Sequence, residues 1–472
     1  MTALQIVTSI LNTALVCGLV IKLVHIFQLE GYKPRGFCRW IFSRRNAYAM
    51  TLLTIGLLGF GAAFTISGFA PGLWAYFGLL FYFALGICSI ILNSFEKQKT
   101  PLKLTPRVYR LIAVIAVLTN CLGFTLLYFV PVQYLPLLAI ALPLVLLIAY
   151  YIIAPYEILN KQMFIIRAKK KLFGPQYQNL VRIGITGSYG KTSVKNILAE
   201  ILAKKYRVVA SPASFNTPMG FTRTVLNELK PDTEVLIMEM GARKTGDIKE
   251  MCKLFKPHHG ILTSVGKAHL ETFKTEENIR AEKYQLLNMA TDIKIDGAIK
   301  TYTNNYETKL LGFHNQHNIG LCVELAKKLG LTDDQMREAV RDLKPTPHRL
   351  ELVEANGVRI LDDSYNSSPH GVRAALDVVA ELKGKSRAVV ITPGMVELGK
   401  SQFDENKKFG ELMNTVADAV IIVGETNKSA IDEGYTGEKH FVKNLEEGKT
   451  LFGTILNKGD VLLIENDLPD NF

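Results

Sequence analysis

The clearest chemical signal is one run of residues, Gly184-Ile185-Thr186-Gly187-Ser188-Tyr189-Gly190-Lys191-Thr192-Ser193. Glycines at a turn let backbone N–H groups converge on an anion, a helix N-terminus adds partial positive charge, and a lysine adds a full one. Gly187, Ser188, Gly190, Lys191, Thr192 and Ser193 therefore read as a cradle for nucleotide phosphates, with the Thr192 hydroxyl positioned for magnesium. The spacing is unusual, because Gly184 precedes Gly190 by six positions rather than five and Ile185 falls where the first glycine should stand. An ordinary glycine-rich turn is the alternative, and context argues against it. Residues 181–186 are patterned as an apolar strand and 191–203 as a helix, so the glycines occupy a strand-to-helix turn.

Beyond the loop, β-branched runs at 207–210, 235–240 and 260–265 alternate with helical stretches at 221–229 and 245–255, which predicts an α/β domain with a largely parallel sheet. Ligands gather at the carboxyl ends of such strands. Glu239 and His269, each near the end of a run, should come close to the phosphate loop. Read alone, Glu239 is equally a solvated strand end, His269 a loop histidine, Lys283 on a helix at 276–289 a solvated lysine, and His258-His259 surface residues. From about residue 345 a second alternation begins, with strands at 387–391, 419–423 and 461–464 and helices at 369–382 and 406–416.

The first third is different in kind. Five apolar stretches of about 20 residues (4–27, 49–70, 73–93, 109–130 and 134–153) are each long enough to cross a bilayer. The first has no basic leader or small-residue cleavage site, so it reads as a retained anchor rather than a signal. Lys22 and His25 near its end are expected to reach the interface, and Pro136 and Pro143 to kink the fifth stretch. Residues 1–178 hold 16 Lys and Arg against 3 Glu, a net +13 in a chain of net +12, which leaves the rest at −1. These charges follow the first, third and fifth stretches, while the connections at 71–72 and 131–133 carry none. The asymmetry predicts a multi-pass plasma-membrane protein with its N-terminus outside and everything after the fifth stretch cytoplasmic. It also accounts for a pI near 9.2 without nucleic acid, and makes membrane lipid a partner. The six cysteines form no C-x-x-C pair, so neither a disulfide scaffold nor a zinc site is expected. Residues 160–179 are basic and amphipathic, the pattern of an interfacial helix.

The order of motifs resembles the Mur ligase family, ATP-dependent ligases that build the peptide of bacterial cell walls. The resemblance rests on the phosphate loop, Ser214-Phe215-Asn216, Glu239-Met-Gly-Ala242, Ser264 to Glu271, Lys283, Gly312 to Asn318, Pro347-His-Arg349, Asp362-Asp-Ser-Tyr-Asn366 and Met395-Val-Glu-Leu-Gly399. It is strongest for the branch that adds D-alanyl-D-alanine. Together with the five apolar stretches, which make residues 1–158 a membrane helical region, it implies a phosphate-loop central α/β domain (159–344) and a smaller α/β C-terminal domain (345–472) that closes over ATP. It further implies amide formation through an acyl phosphate, joining an amino acid or dipeptide to a UDP-linked or lipid-linked envelope precursor.

By resemblance, Lys191 steadies the β- and γ-phosphates, Thr192 and Glu239 hold one Mg²⁺, and His269 helps hold a second. Lys283 matches a lysine that relatives carbamylate. Asn315 and Asn318 match positions near adenine, Arg349 and Asp363 close over ATP, and Asn216, Tyr365 and Asn366 lie near the substrates. The chain departs from the family in three ways. Five spans stand where relatives have a domain for the UDP group; the stretch from Lys283 to Gly312 is short; and the segment beginning Ile464-Glu-Asn-Asp467 replaces a basic one, while Thr392-Pro-Gly-Met395 replaces Gly-Asp-Met. A lipid-linked acceptor, or a nucleotide-binding scaffold without ligase activity, are the readings these departures leave open.

Overall fold

The computed structural model describes residues 3–42, 47–69, 74–94, 101–212, 215–266, 270–365 and 367–467. The chain divides into two compact units, residues 1–160 with 469–472, and residues 161–468.

In the first unit the apolar stretches form the helices Ala3–Leu29, Ala47–Phe69, Trp74–Ser94, Pro106–Phe129 and Leu138–Leu172. Among the described residues, five helices are long and apolar enough to cross a membrane. Leu19, Leu23, Phe27, Leu111, Ile115, Leu142 and Leu146 make the shared core. Gly78 lies so close to the backbone of Ala63 that a side chain there would collide with it, the close approach that small residues permit between helices. Leu57, Leu58, Phe64, Leu80, Leu92, Val117 and Leu144 face outward and are exposed. Asn12, fully buried, accepts a hydrogen bond from the Tyr82 hydroxyl at 2.9 Å. His25 is buried rather than reaching outward, because the helix is packed on every side here, with Leu23, Val24, Ile26 and Phe27 buried as well. Pro143 is inside the last helix, and Pro136 falls in the 3₁₀ turn before it. The connections carrying Arg44, Arg45, Lys97 and Lys99, and the Pro71-Gly72 turn, lie outside the described residues.

The second unit contains two sheets. β1 (Val181–Thr186), β2 (Val208–Ala210), β3 (Val235–Glu239), β4 (His259–Leu262) and β5 (Lys294–Asp296) form a wholly parallel sheet in the order β2-β3-β1-β4-β5. Alternate residues of these strands serve opposite faces. Ile183 and Ile185 pack with Val194, Ile197 and Leu198 of the helix Lys191–Leu202 and with Ile319 and Leu325 of the helix Phe313–Lys328. Leu236 and Met238 pack instead with Met251 and Phe255 of Asp247–Phe255 and with Ile279 and Leu286 of Glu276–Met289. Burial on both faces is what made β1 and β3 continuous apolar runs. Between Lys283 and Gly312, β5 is the one strand among the described residues.

β6 (Glu351–Ala355), β7 (Val358–Asp363), β8 (Ala388–Thr392), β9 (Ala419–Val423), β10 (Glu438–Val442) and β11 (Val461–Glu465) form the second sheet in the order β10-β9-β8-β11-β7-β6. All its pairs are parallel except β6 with β7. That hairpin turns at Asn356-Gly357, where both φ angles are positive (53° and 80°), the turn chemistry that Asn-Gly supplies.

Two sequence expectations are corrected. Residues 160–172 do not begin a separate interfacial helix, because they continue the helix Leu138–Leu172 without a break. His258 and His259 are not surface residues: His259 is buried on β4, and His258 Nε2 lies 2.7 Å from Arg182 Nη2. Parallel pairing of β4 with β1 draws the start of that strand into the sheet.

Candidate functional site

β1 is the middle strand of its sheet, so the loop at its carboxyl end is flanked by the ends of β3 and β4. Gly190 takes a left-handed φ of 78° just before the helix, and a Cβ there would come within 2.9 Å of Asn318 Oδ1, so both backbone and space demand glycine. The loop is tied to the segment after β4: Ser188 N donates to Ser264 O at 2.9 Å, and Tyr189 N to Ser264 Oγ at 3.0 Å. Ser188 Oγ donates to Gly266 O at 3.0 Å.

Lys191 opens the helix and folds back, its Nζ donating to Gly187 O at 2.8 Å and Ser188 O at 3.1 Å. Glu239 ends β3 beside Ile185. Its Oε1 accepts from Asn216 Nδ2 at 3.2 Å, and its Oε2 lies 3.7 Å from Lys195 Nζ. Asn318 Nδ2 is 3.5 Å from Asn315 Oδ1, and Asn315 Nδ2 donates to Leu311 O at 2.8 Å, so both asparagines stand on one helix next to Gly190.

The second sheet contributes Arg349. His348 and Leu350 on either side of it both have left-handed φ values (60° and 47°), a backbone conformation that costs energy for residues with side chains and that recurs at functional sites. The result is that Arg349 Nη2 donates to Thr192 Oγ1 at 3.4 Å, while its guanidinium lies 4.3 Å from the centre of the Tyr365 ring. Asp363, at the end of β7, accepts from Leu350 N at 3.1 Å.

Residues 185–312 match the Mur ligase middle domain, and residues 348–465 match the Mur ligase, glutamate ligase domain, together just over half of the chain. The chain belongs to the Mur ligase family. It is an ATP-dependent ligase that forms amide bonds. Over 336 residues it is 27% identical to the UDP-N-acetylmuramoyl-tripeptide--D-alanyl-D-alanine ligase of Bacillus subtilis, covering 60% of this chain and 72% of that one. MurF ligase from Thermotoga maritima, solved in complex with ADP, is similar at 25% identity with a TM-score of 0.56, over 65% of this chain and 80% of that one. MurF from Acinetobacter baumannii, 21% identical over 65% of this chain and 76% of that one, shares the fold with a TM-score of 0.56.

In this Mur ligase Gly187, Ser188, Gly190, Lys191, Thr192 and Ser193 form the loop and helix start; Asn318 lies against Gly190, Glu239 near Lys191 and Lys195, and Arg349 against Thr192, while Asn216, Asn315 and Asp363 contact Glu239, Asn318 and the Arg349 segment in turn. His269 and Asn366 lie outside the described residues. Tyr365 is exposed beyond its contact with Arg349.

Lys283 is buried, not solvated as its sequence position alone implied, because its helix face turns toward the sheet. Burial, with Lys191 nearby, lowers its ammonium pKa to about 7, against the opposing pull of Glu282 and Asp247. Burial likewise lowers Lys191 to about 8, with Glu239 opposing and Arg349 adding to the shift. Such crowding of cations in a dry pocket is favourable only when an anion joins them.

Sequence reasoning missed Lys195, Glu465 and the stacked rings of Tyr189 and His370, whose centres are 5.9 Å apart. Lys195 had a usable signal, since it lies four positions after Lys191 and so on the same helix face. Those rings border a cavity of about 330 Å³, lined also by Ser264, Val265, Gly266, Pro369 and Glu405. Among the described residues, His348, Glu351 and Asp362 form one group with ligand atoms within 4.8 Å of one another, at the rim beside Arg349.

Proposed function

We propose that this ligase activates a carboxylate of a UDP-linked muramoyl peptide with ATP and joins it to a dipeptide of the D-alanyl-D-alanine type, at the cytoplasmic face of the bacterial plasma membrane. One observation carries the reading: Lys191 and Lys195 lie within the field of the Glu239 carboxylate at the end of β3, and Arg349 and Lys283 add their charge beside Lys191. Two anions, a triphosphate and a carboxylate, have to meet for phosphoryl transfer, and fixed cations lower that barrier without reorganising. The relatives' names supply the substrates of the proposal.

Lys191 and the loop amides bind the β- and γ-phosphates, and Arg349 brings a further charge from the C-terminal domain once that domain has closed. The carboxylate oxygen takes the γ-phosphoryl group and ADP leaves; the amine then attacks the acyl carbon and phosphate departs. Tyr189 and His370 border the cavity in which a substrate group of amino-acid size lies.

The residues fit magnesium. Glu239 Oε2 is buried and accepts no hydrogen bond, and a carboxylate oxygen is the ligand type a hard cation prefers; Thr192, in the first turn of the helix after the loop, would add a hydroxyl oxygen. When bound there, Mg²⁺ would offset charge on the transferring phosphate. Lys283 fits carbamylation, because a pKa of about 7 leaves much of its amine neutral and able to add carbon dioxide.

The outward Leu and Phe side chains of the first unit favour insertion in lipid, where exposed apolar surface costs nothing. A lipid-linked acceptor held beside the membrane is the second reading. The deciding experiment gives the purified full chain ATP, a dipeptide, and either a UDP-linked or a lipid-linked precursor. Phosphate release that needs both substrates, with a ligated product by mass, supports the ligase; ATP turnover indifferent to either substrate rejects it in favour of a scaffold. Labelling of single cysteines from each side of the membrane tests the outside N-terminus.

A further inference from the structure

Glu239 presents a specific difficulty. Its side chain is 2% exposed, and an ionised carboxylate at such depth costs several kcal/mol unless a cation accompanies it. Asn216 holds one oxygen at 3.2 Å, which orients the group but does not neutralise it. The neutralising charge is Lys195, also 2% exposed, whose Nζ stands 3.7 Å from the other oxygen, Oε2. That oxygen accepts no hydrogen bond, so the pair is held by charge at a separation longer than a bonded contact. Lys191, one turn earlier on the same helix, is engaged with the Gly187 and Ser188 carbonyls instead. Both ammonium groups feel the Glu239 charge, but Lys191 is bonded to the loop carbonyls while Lys195 stands within ion-pair distance of the carboxylate.

We propose that Lys195 is the resident counter-ion of the divalent-cation site at Glu239, and that a metal ion and the Lys195 ammonium compete for the same carboxylate oxygen. The proposal rests on the magnesium reading above and adds a role for a residue which that reading leaves without one. A divalent ion at Oε2 repels the ammonium 3.7 Å away, so the ammonium must move before the ion binds well. Nucleotide phosphates provide the place for the released charge. Metal and nucleotide therefore favour each other's binding through Lys195, and the free site stays selective against metal alone. Lys195 is a positioning residue in this scheme, acting on the reaction through Glu239.

The test titrates the full chain in detergent with Mn²⁺ alone, following free Mn²⁺ by electron paramagnetic resonance, and records melting temperatures in parallel. All variants carry Glu351→Gln, which disables the rim group of His348, Glu351 and Asp362. Lys195→Met is expected to bind Mn²⁺ roughly tenfold more tightly, to melt lower without the ion, and to recover when it is added. Lys195→Arg, with the charge kept, should retain the weak binding. Glu239→Gln should lose binding, and Lys195→Met/Glu239→Gln should match it and regain stability, because both charges are gone.

Lys195→Met binding Mn²⁺ no more tightly, while Glu239→Gln abolishes binding, overturns the role of Lys195 and leaves the metal site intact. Equal binding by Glu239→Gln and the parent overturns the metal assignment itself. If Lys195→Met does not fold, a folded double variant still establishes the charge pairing, and Lys195→Gln takes its place in the titration; a double variant that also fails to fold shows that Lys195 acts by packing, and the proposal falls.

Discussion

Arg349 Nη2 reaches from the C-terminal domain to Thr192 Oγ1 on the phosphate loop, a contact of 3.4 Å between residues 157 positions apart. It joins the Mur ligase middle domain to the C-terminal domain at the start of the helix that follows β1. Arg349→Ala is expected to lower kcat by roughly 10²-fold, the scale of losing one charge aimed at the transition state. Arg349→Lys should recover only part, since an ammonium lacks the planar fork and its stacking on Tyr365. Steady-state phosphate release measures both, and wild-type kcat in Arg349→Ala would remove the arginine from the mechanism.

Lys191→Ala should abolish turnover, with a loss of order 10²-fold or more, and should also weaken ADP binding. Equilibrium binding of labelled ADP separates this variant from Arg349→Ala, for which affinity should change less than kcat. Equal and undiminished affinity in both would contradict the loop's role.

Lys283→Ala is expected to be inactive, and short carboxylic acids added to the assay should restore part of the activity by supplying the missing carboxylate. Intact-mass measurement of gently prepared active protein should show one carbon dioxide added at Lys283. Active protein with a bare lysine argues against the carbamate.

The carboxylates of Asp363 and Glu465 end paired strands, and both titrate upward. Burial pushes Asp363 up to about 6, with the Leu350 amide and Arg349 opposing; burial, then the nearby Asp363 charge, pushes Glu465 well above the usual range. The unfolded chain releases these protons near pH 4 and the native protein holds them longer, so the native state binds more protons above that pH. Stability from this pair is therefore present at low pH and is lost as pH rises from about 4 through the folded values. Glu465→Gln keeps the acceptor for Ser367 Oγ, now at 2.6 Å from Glu465 Oε1, and removes the charge. It should stabilise the protein at pH 7 and flatten the fall in melting temperature between pH 5 and pH 7.5. A profile identical to the parent would show that the two groups do not interact.

Local order along the chain determined a good deal by itself. The loop after β1 was readable because Gly187, Gly190, Lys191 and Thr192 fall within one turn, and the five long apolar helices because length and apolar composition are both local properties. Strand and helix periodicities gave the parallel central sheet. The polar edge strands β10, Glu438-Lys-His-Phe-Val442 with little apolar run, and β6 escaped, and so did β7 inside the sheet, although Asn356-Gly357 marks the turn between β6 and β7.

Only the tertiary structure decided which charges share a pocket. Placing β3 beside β1 sets Glu239 against the helix that carries Lys195, and the second sheet brings Arg349 to Thr192. The spacing of residues along the chain holds no record of those distances. Nor does it tell a buried lysine from a solvated one, so the depression of Lys283 appears only once its helix has packed against β4 and its amine has lost water. Electrostatic energies depend on separation in space and on exclusion of solvent, and folding sets both.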